Sequence, residues 1–321
     1  MSTLKEIKGR IASVSSTLKI TSAMKMVASA KLRKAQKAMG MMLPYQQLLF
    51  RILSDLVGER NVSSVVLRDA ALSGQEEGSP AGKSLSSVAL VCFASNSSLC
   101  GGFNANAVRK AVAALEEYRA KGVQVTVFSI GRKMADAMRK RGFPSPRDYT
   151  ALAAEPDYAG IAALGEELVT GYRSGRFDRV ELIYNHFKST ASQPTVREAY
   201  LPLGEKSIRQ TLEFQIPDQA GEEAGAAGAD GENVRNEEVE FIVEPDKKEA
   251  VALLLPKVLS LKIYAVLLDT VAAEHAARTV AMQIATDNAE DLLDELTLEY
   301  NKGRQQKITA EILDLEGGAL E

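Results

Sequence analysis

The chain has 321 residues, 45% of them hydrophobic and 25% charged, enough for one sizeable core plus an extended element. No stretch approaches the ~18–20 uncharged apolar residues of a membrane helix, and the mixed-charge start, Met1 to Arg10, lacks a signal peptide's apolar run, so a cytoplasmic chain is expected. Two cysteines, Cys92 and Cys100, and two histidines, His186 and His275, are too few and too scattered for a disulfide framework or a His/Cys metal site.

Residues 3–57 read as one long helix. Thr3 followed by Glu6 is a capping-box signature. Leu4, Ile7, Ile11, Val14, Leu18 and Thr21 recur at alternating steps of three and four, and after a shift the pattern resumes at Ala28, Leu32, Ala35, Met39 and Met42. Spacing sustained this long is that of a coiled-coil seam. The slip near Met24 resembles a stammer, and Gly40 and Pro44 are expected to weaken or kink the helix. A polar linker, 59–86, follows. From Ser87 the pattern turns to short apolar runs separated by amphipathic helices: strands at 88–94, 123–130 and 179–187, a run at 195–201 able to form a hairpin with the last, and helices at 104–119, through about Lys140, and at 158–172. Alternation of this kind implies an α/β domain with a mostly parallel sheet. Residues 215–238 hold seven acids, one Arg, four Gly and five Ala, a solvated insertion, and a short strand at 239–243 follows.

From Asp246 to about Leu315 the chain is again helical, with Pro256 placed to kink it early. Beyond Pro256 a heptad path runs through Val258, Leu261, Ala265, Leu268, Ala272, His275, Thr279 and Met282, and less cleanly through Ala289, Leu293 and Leu296. The economical fold is therefore a long antiparallel coiled coil of the N- and C-terminal helices with an inserted Rossmann-like α/β domain. Its parts are a helix over 1–58, the linker 59–86, the α/β domain 87–245 and a helix over 246–321. The final turns, thin in seam and acidic in surface, are expected to project as a single helix. Residues 1–40 hold nine basic side chains against Glu6, and residues 287–321 hold ten acids against three bases. Oppositely charged ends lying near each other explain this better than a nucleic-acid arm, because no aromatic residue interleaves the basic stretch.

Few motifs offer chemistry. Gly78–Ser84, GSPAGKS, is one residue short of a P-loop and precedes a strand instead of following one. LCGGFN (99–104) follows a strand and opens a helix, where backbone N–H groups can hold an anion, but it lacks both the third glycine of GxGxxG and a P-loop lysine, and reads as a tight turn. Cys92 falls in an apolar strand as inert core, and Cys100 has no neighbouring His to form a dyad. His275 falls on the C-terminal seam, as a packed residue more than a ligand. No catalytic, cofactor-binding or metal-binding constellation emerges.

Two long segments carry a resemblance. LKEIKGRIASVSSTLKITSAMKMVASAKLRKAQ (4–36) and EHAARTVAMQIATDNAEDLLDELTLEYNKGRQQKITAEILDLEGGA (274–319) are similar to the terminal helices of F-type ATP synthase gamma subunits. LCGGFN is similar to that family's LCG-x-FN turn. The resemblance implies the central rotor of a bacterial-type complex. Its coiled coil stands inside the ring of alpha and beta subunits, and its α/β domain sits with epsilon on the proteolipid c-ring. Proton-driven rotation then forces the catalytic beta subunits through successive states, for synthesis or hydrolysis of ATP. ATP and magnesium bind to beta, so this chain is non-catalytic and needs no cofactor. The implied location is peripheral, on the cytoplasmic face of the inner membrane. Arg304, Gln305 and Thr309, in NKGRQQKIT, match residues that hydrogen-bond the catch loop of a catalytic subunit, where a planar guanidinium gives directional charge-assisted bonds. Met24 matches a position near the acidic lever of beta, with Lys25 and the basic residues at 31–37 as electrostatic partners of that lever or of the foot region.

The sequence departs from the family where SDRGLCG is usual: Ser95, Asn96, Ser97 and Ser98 stand there instead, without the Asp and Arg. Glu316 replaces a usual apolar residue, and the insertion 215–238 is longer than expected. Two other classes compete with the rotor: a nucleotide-binding α/β protein using the LCGGFN turn, and a coiled-coil adaptor or nucleic-acid-binding arm.

Overall fold

The computed structural model describes residues 3–57, 85–202 and 246–318. The GSPAGKS run, the insertion 215–238, the strand expected at 239–243 and all but the last two residues of the linker lie outside them, as does the side chain of Glu316. The chain divides into two compact units, Met1–Ala30 with Arg278–Glu321, and Lys31–Ala277.

In the larger unit, four strands form one sheet: β1 (Ser87–Phe93), β2 (Gln124–Ile130), β3 (Arg179–Asn185) and β4 (Thr195–Leu201). Their order is β2-β1-β3-β4, with β1 parallel to both β2 and β3, and β4 antiparallel to β3. The hairpin read at 195–201 is present, and each expected strand that falls among the described residues is found within two residues of its predicted bounds. The helices of this unit are α2 (Phe103–Ala120), α3 (Arg132–Arg139), α4 (Thr150–Ala154) and α5 (Tyr158–Arg173). It also contains parts of α1 (Leu4–Val57) and α6 (Lys247–Gly318). Both long helices run unbroken through their prolines, Pro44 and Pro256.

Period-2 alternation sorts the strands between two cores. Val88, Leu90 and Cys92 face α2 and α3, meeting Ala107, Ala111 and Met134. Ala89, Val91 and Phe93 face the other way, toward Ile161, Leu164 and Leu168 of α5, Leu49, Phe50 and Leu53 of α1, and Val258, Leu259 and Leu267 of α6. An 18-residue window of α6 is apolar enough to cross a membrane by length and composition, yet 61% of it is buried inside the protein. Its apolarity serves the sheet. Cys92 is fully buried as expected, and burial, then the charge of Glu181, pushes its thiol up to about 12.

The β2–α3 turn depends on one glycine. Gly131 has φ +95°, and a Cβ there would lie 2.0 Å from the Ala94 carbonyl oxygen, so neither the conformation nor the space admits a side chain.

Candidate functional site

An open α/β sheet binds ligands at the carboxyl ends of its strands, where the connections reverse direction. Here β1 leads through α2 to β2 on one side and the chain then returns to β3 on the other, placing that point between the ends of β1 and β3. The crevice is filled by protein. Cys100 and Phe103, from the LCGGFN turn, and Phe187, just beyond β3, pack against Leu32, Ala35 and Met39 of α1 and Leu268, Ala272, Ala273 and Ala276 of α6. Cys100 is 1% exposed and Phe103 4%.

Polar bonds close the same joint. The Asp269 carboxylate, buried on α6, accepts from the Phe187 backbone N–H at 2.8 Å and contacts His186 Nδ1 at 2.8 Å. The His186 hydrogen bond to Asp269 holds the imidazole pKa up against the opposing effect of burial, while burial holds the Asp269 carboxyl above its ordinary range. Lys262 Nζ meets Glu198 at 2.7 Å, with side chains 3% and 12% exposed. Tyr184 donates to the other Glu198 oxygen at 3.1 Å, and, beside the start of β3, the Tyr200 hydroxyl donates to the Leu259 carbonyl. The nucleotide-binding reading therefore fails at its expected pocket, which serves instead as a packed joint between sheet and helices.

The turn itself is a tight one, as read. Asn104 Oδ1 accepts from the Ser95 N–H at 3.0 Å, and its Nδ2 donates to Ser95 Oγ at 2.8 Å. Where the family pattern has Asp, Asn96 accepts from the Arg132 N–H at the start of α3 and donates to the Thr150 carbonyl, both at 2.8 Å. Asn96 thus forms a two-way amide bridge from the turn to the starts of α3 and α4. Leu99 has φ +66° and is 58% exposed.

The smaller unit is an antiparallel pair. Leu4 packs over Gly303, whose Cβ position would lie 3.1 Å from it, Thr21 meets Thr286, and Lys25 meets Gln283. Positions on the two helices therefore sum to about 307, bringing the basic start of the chain beside the acidic stretch at 287–299. The seam on α6 is cleaner than the sequence suggested, because Met282, Thr286, Ala289, Leu293, Leu296, Tyr300 and Gly303 are all buried or half-buried at 4-3 steps. The stammer expected near Met24 is absent. Lys25, half-buried, occupies the step between Thr21 and Ala28, and the 3-4 path continues along α1 without a change of phase. A charged residue on the seam had broken the apolar pattern while the geometry stayed regular. Two consecutive layers are polar: Thr286 and Thr21 hydroxyls lie 3.0 Å apart, and Lys25 Nζ donates to Gln283 Oε1 at 2.7 Å, while Gln283 Nε2 donates to Asp287.

Beyond Gly303, α6 continues without a described partner strand of helix. Every residue from Arg304 to Leu313 is exposed, as the single projecting helix requires. Gln305 and Thr309 lie one turn apart on one face, and the Thr309 hydroxyl donates to the Gln305 carbonyl. Ile308, Ile312 and Leu313, 47–61% exposed, add apolar surface. The five singled-out residues form two groups. Met24 and Lys25 lie opposite residue 283, about 21 residues or ~32 Å along α6 from Arg304 at 1.5 Å per residue. Gln283 was not foreseen, although the pairing sum from the chain ends points to it.

A family model described as ATP synthase matches residues 3–320. The ATP synthase gamma chain of Phocaeicola vulgatus is 46% identical over 100% of both chains, and that of Bacteroides thetaiotaomicron 42%, also over 100% of both. Among solved structures, the Euglena gracilis mitochondrial ATP synthase rotor, in rotational state 1, matches with a TM-score of 0.56 at 20% identity, covering 95% of this chain and 98% of that one. The central stalk and c-ring structure from Tetrahymena thermophila matches at 0.53 and 20%, covering 83% and 99%.

Proposed function

From the premise that this chain belongs to the ATP synthase gamma-chain family, we propose how its two units divide the work of a central rotor. The subunit itself is non-catalytic. The observation that supports the reading best is the end of α6. A helix with ten consecutive exposed residues, apolar and hydrogen-bonding groups interleaved, is built to be surrounded by other chains and offers nothing to a small molecule. Arg304, Gln305 and Thr309 are the contacts for the catch loop of a beta subunit, and Met24 lies against its acidic lever. Lys25 acts there through its seam position, since its ammonium already holds Gln283. The larger unit receives rotation from the epsilon subunit and the c-ring. Each rotor angle then favours a different state of each beta subunit, a coupling free energy delivered through contacts. The complex sits at the cytoplasmic face of the bacterial inner membrane.

The test is rotation. The chain is co-purified with alpha and beta subunits and carries a bead on Arg173→Cys, an exposed position; the native Cys100 is buried and unsuited to labelling. ATP is expected to drive ~120° steps, the spacing set by three equivalent catalytic sites. Assembly with hydrolysis and a bead that never turns, at this and a second exposed site, would overturn the proposal.

A further inference from the structure

On the face of the sheet away from the two long helices, α2 and α3 border an open groove of about 590 Å³. Its floor is apolar, with half-buried Val108 and Val112 of α2 flanked by exposed Ala105 and Ala113. Its rim is basic: Arg109 on α2, Lys133 on α3 and Arg141 just past α3, with Glu116 the one acid among the lining residues. None of these three cations forms an ion pair among the described residues; the Arg141 guanidinium donates to the Ala137 carbonyl. The surroundings deepen the bias. Residues 132–148 contain six cations (Arg132, Lys133, Arg139, Lys140, Arg141, Arg147) against Asp136 and Asp148.

An apolar floor between cationic walls fits neither a bare anion nor a purely apolar helix. Charge complementarity selects a segment with carboxylates along its flanks and apolar side chains on one face. We propose that this groove is a docking site for an acidic, amphipathic segment of another subunit of the assembled complex, in which case Arg109, Lys133 and Arg141 set its specificity. This rests on the rotor reading and gives the larger unit a specific groove through which another subunit holds it.

A photo-crosslinking residue placed at Ala113, exposed on the groove's edge, tests it in the purified, ATP-hydrolysing complex. Crosslinked peptides are identified by mass spectrometry. The expected product joins Ala113 to an acidic segment of a partner subunit, and Lys133→Glu with Arg141→Glu lowers its yield about tenfold, while Lys133→Gln with Arg141→Gln lowers it less. A crosslink to lipid, to a segment without carboxylates, or to none at all in an active complex overturns the proposal, as does a yield indifferent to charge reversal. Failure of the complex to assemble with unsubstituted chain would instead count against the rotor reading.

Discussion

Replacing Lys262 by Met tests how the sheet is held to α6. The Lys262 ammonium is 3% exposed and bonded at 2.7 Å to Glu198, itself 12% exposed. Burial alone lowers the Lys262 pKa, with Glu198 opposing it. Met fills most of the volume but leaves Glu198 with the Tyr184 hydroxyl and with repulsion from Asp269 nearby. Removing one partner of a buried pair costs about 3–5 kcal/mol, whereas replacing both is often near neutral. Glu198→Gln keeps an acceptor for Tyr184, so Lys262→Met with Glu198→Gln should recover to within about 1–2 kcal/mol of the parent. The coupling energy is then at least about 2 kcal/mol. Urea unfolding of the full chain, followed by circular dichroism, reads this as a midpoint lowered by about 1–2 M for the single variant at a slope of ~2–3 kcal/mol/M, and mostly restored in the double. A double variant as unstable as the sum of its singles would refute the buried-pair reasoning.

Gly131→Ala is expected to cost more than about 3 kcal/mol, since the strained φ and the Ala94 oxygen act together; soluble yield and melting temperature report it, and a parent-like melt would contradict the turn geometry. Asn96→Ala should lose about 2 kcal/mol through two hydrogen bonds. Asn96→Asp should stay within about 1 kcal/mol of the parent, gaining charge at the N-terminus of α3 while losing the bond to Thr150; calorimetry that ranks Asp below Ala would contradict this. His186 is held up by Asp269, with Glu198 adding to it and Lys188 opposing. Its contribution to stability is therefore complete below about pH 6.5 and lost as pH rises through the raised folded-state value. Unfolding midpoints from pH 6 to 9 should fall for the parent more steeply than for His186→Gln, and equal slopes would dismiss the pair.

What could be read from the sequence was whatever repeats. The 3-4 spacing from Leu4 to Leu18 and the apolar runs at 88–94 and 123–130 each express a single geometric period, so helices and strands were found nearly to the residue. The stammer misread near Met24 and the buried pair that was not foreseen share one cause, polar residues in buried places. Lys25 on the seam mimicked a phase change because nothing local announces that Gln283 will meet it. Lys262 and Glu198, far apart in sequence, are buried only because each neutralises the other. Helix α4, five residues long, is too short to display a period. Of the candidate site, the exposure of Arg304, Gln305 and Thr309 followed from counting: α6 outlasts its partner once Leu4 reaches Gly303.

The filled crevice between the ends of β1 and β3 has a mechanical corollary. A socket shaped for a ligand must open and close, and its walls are accordingly compliant. Here the same recess is wedged by Phe103 and Phe187 and cross-bolted through Asp269, so a twist applied to the sheet has no soft hinge at that seat to absorb it. Slippage would require many small packing contacts and buried bonds to fail together, which makes the joint stiff at low load and abrupt at failure, the behaviour of a keyed coupling.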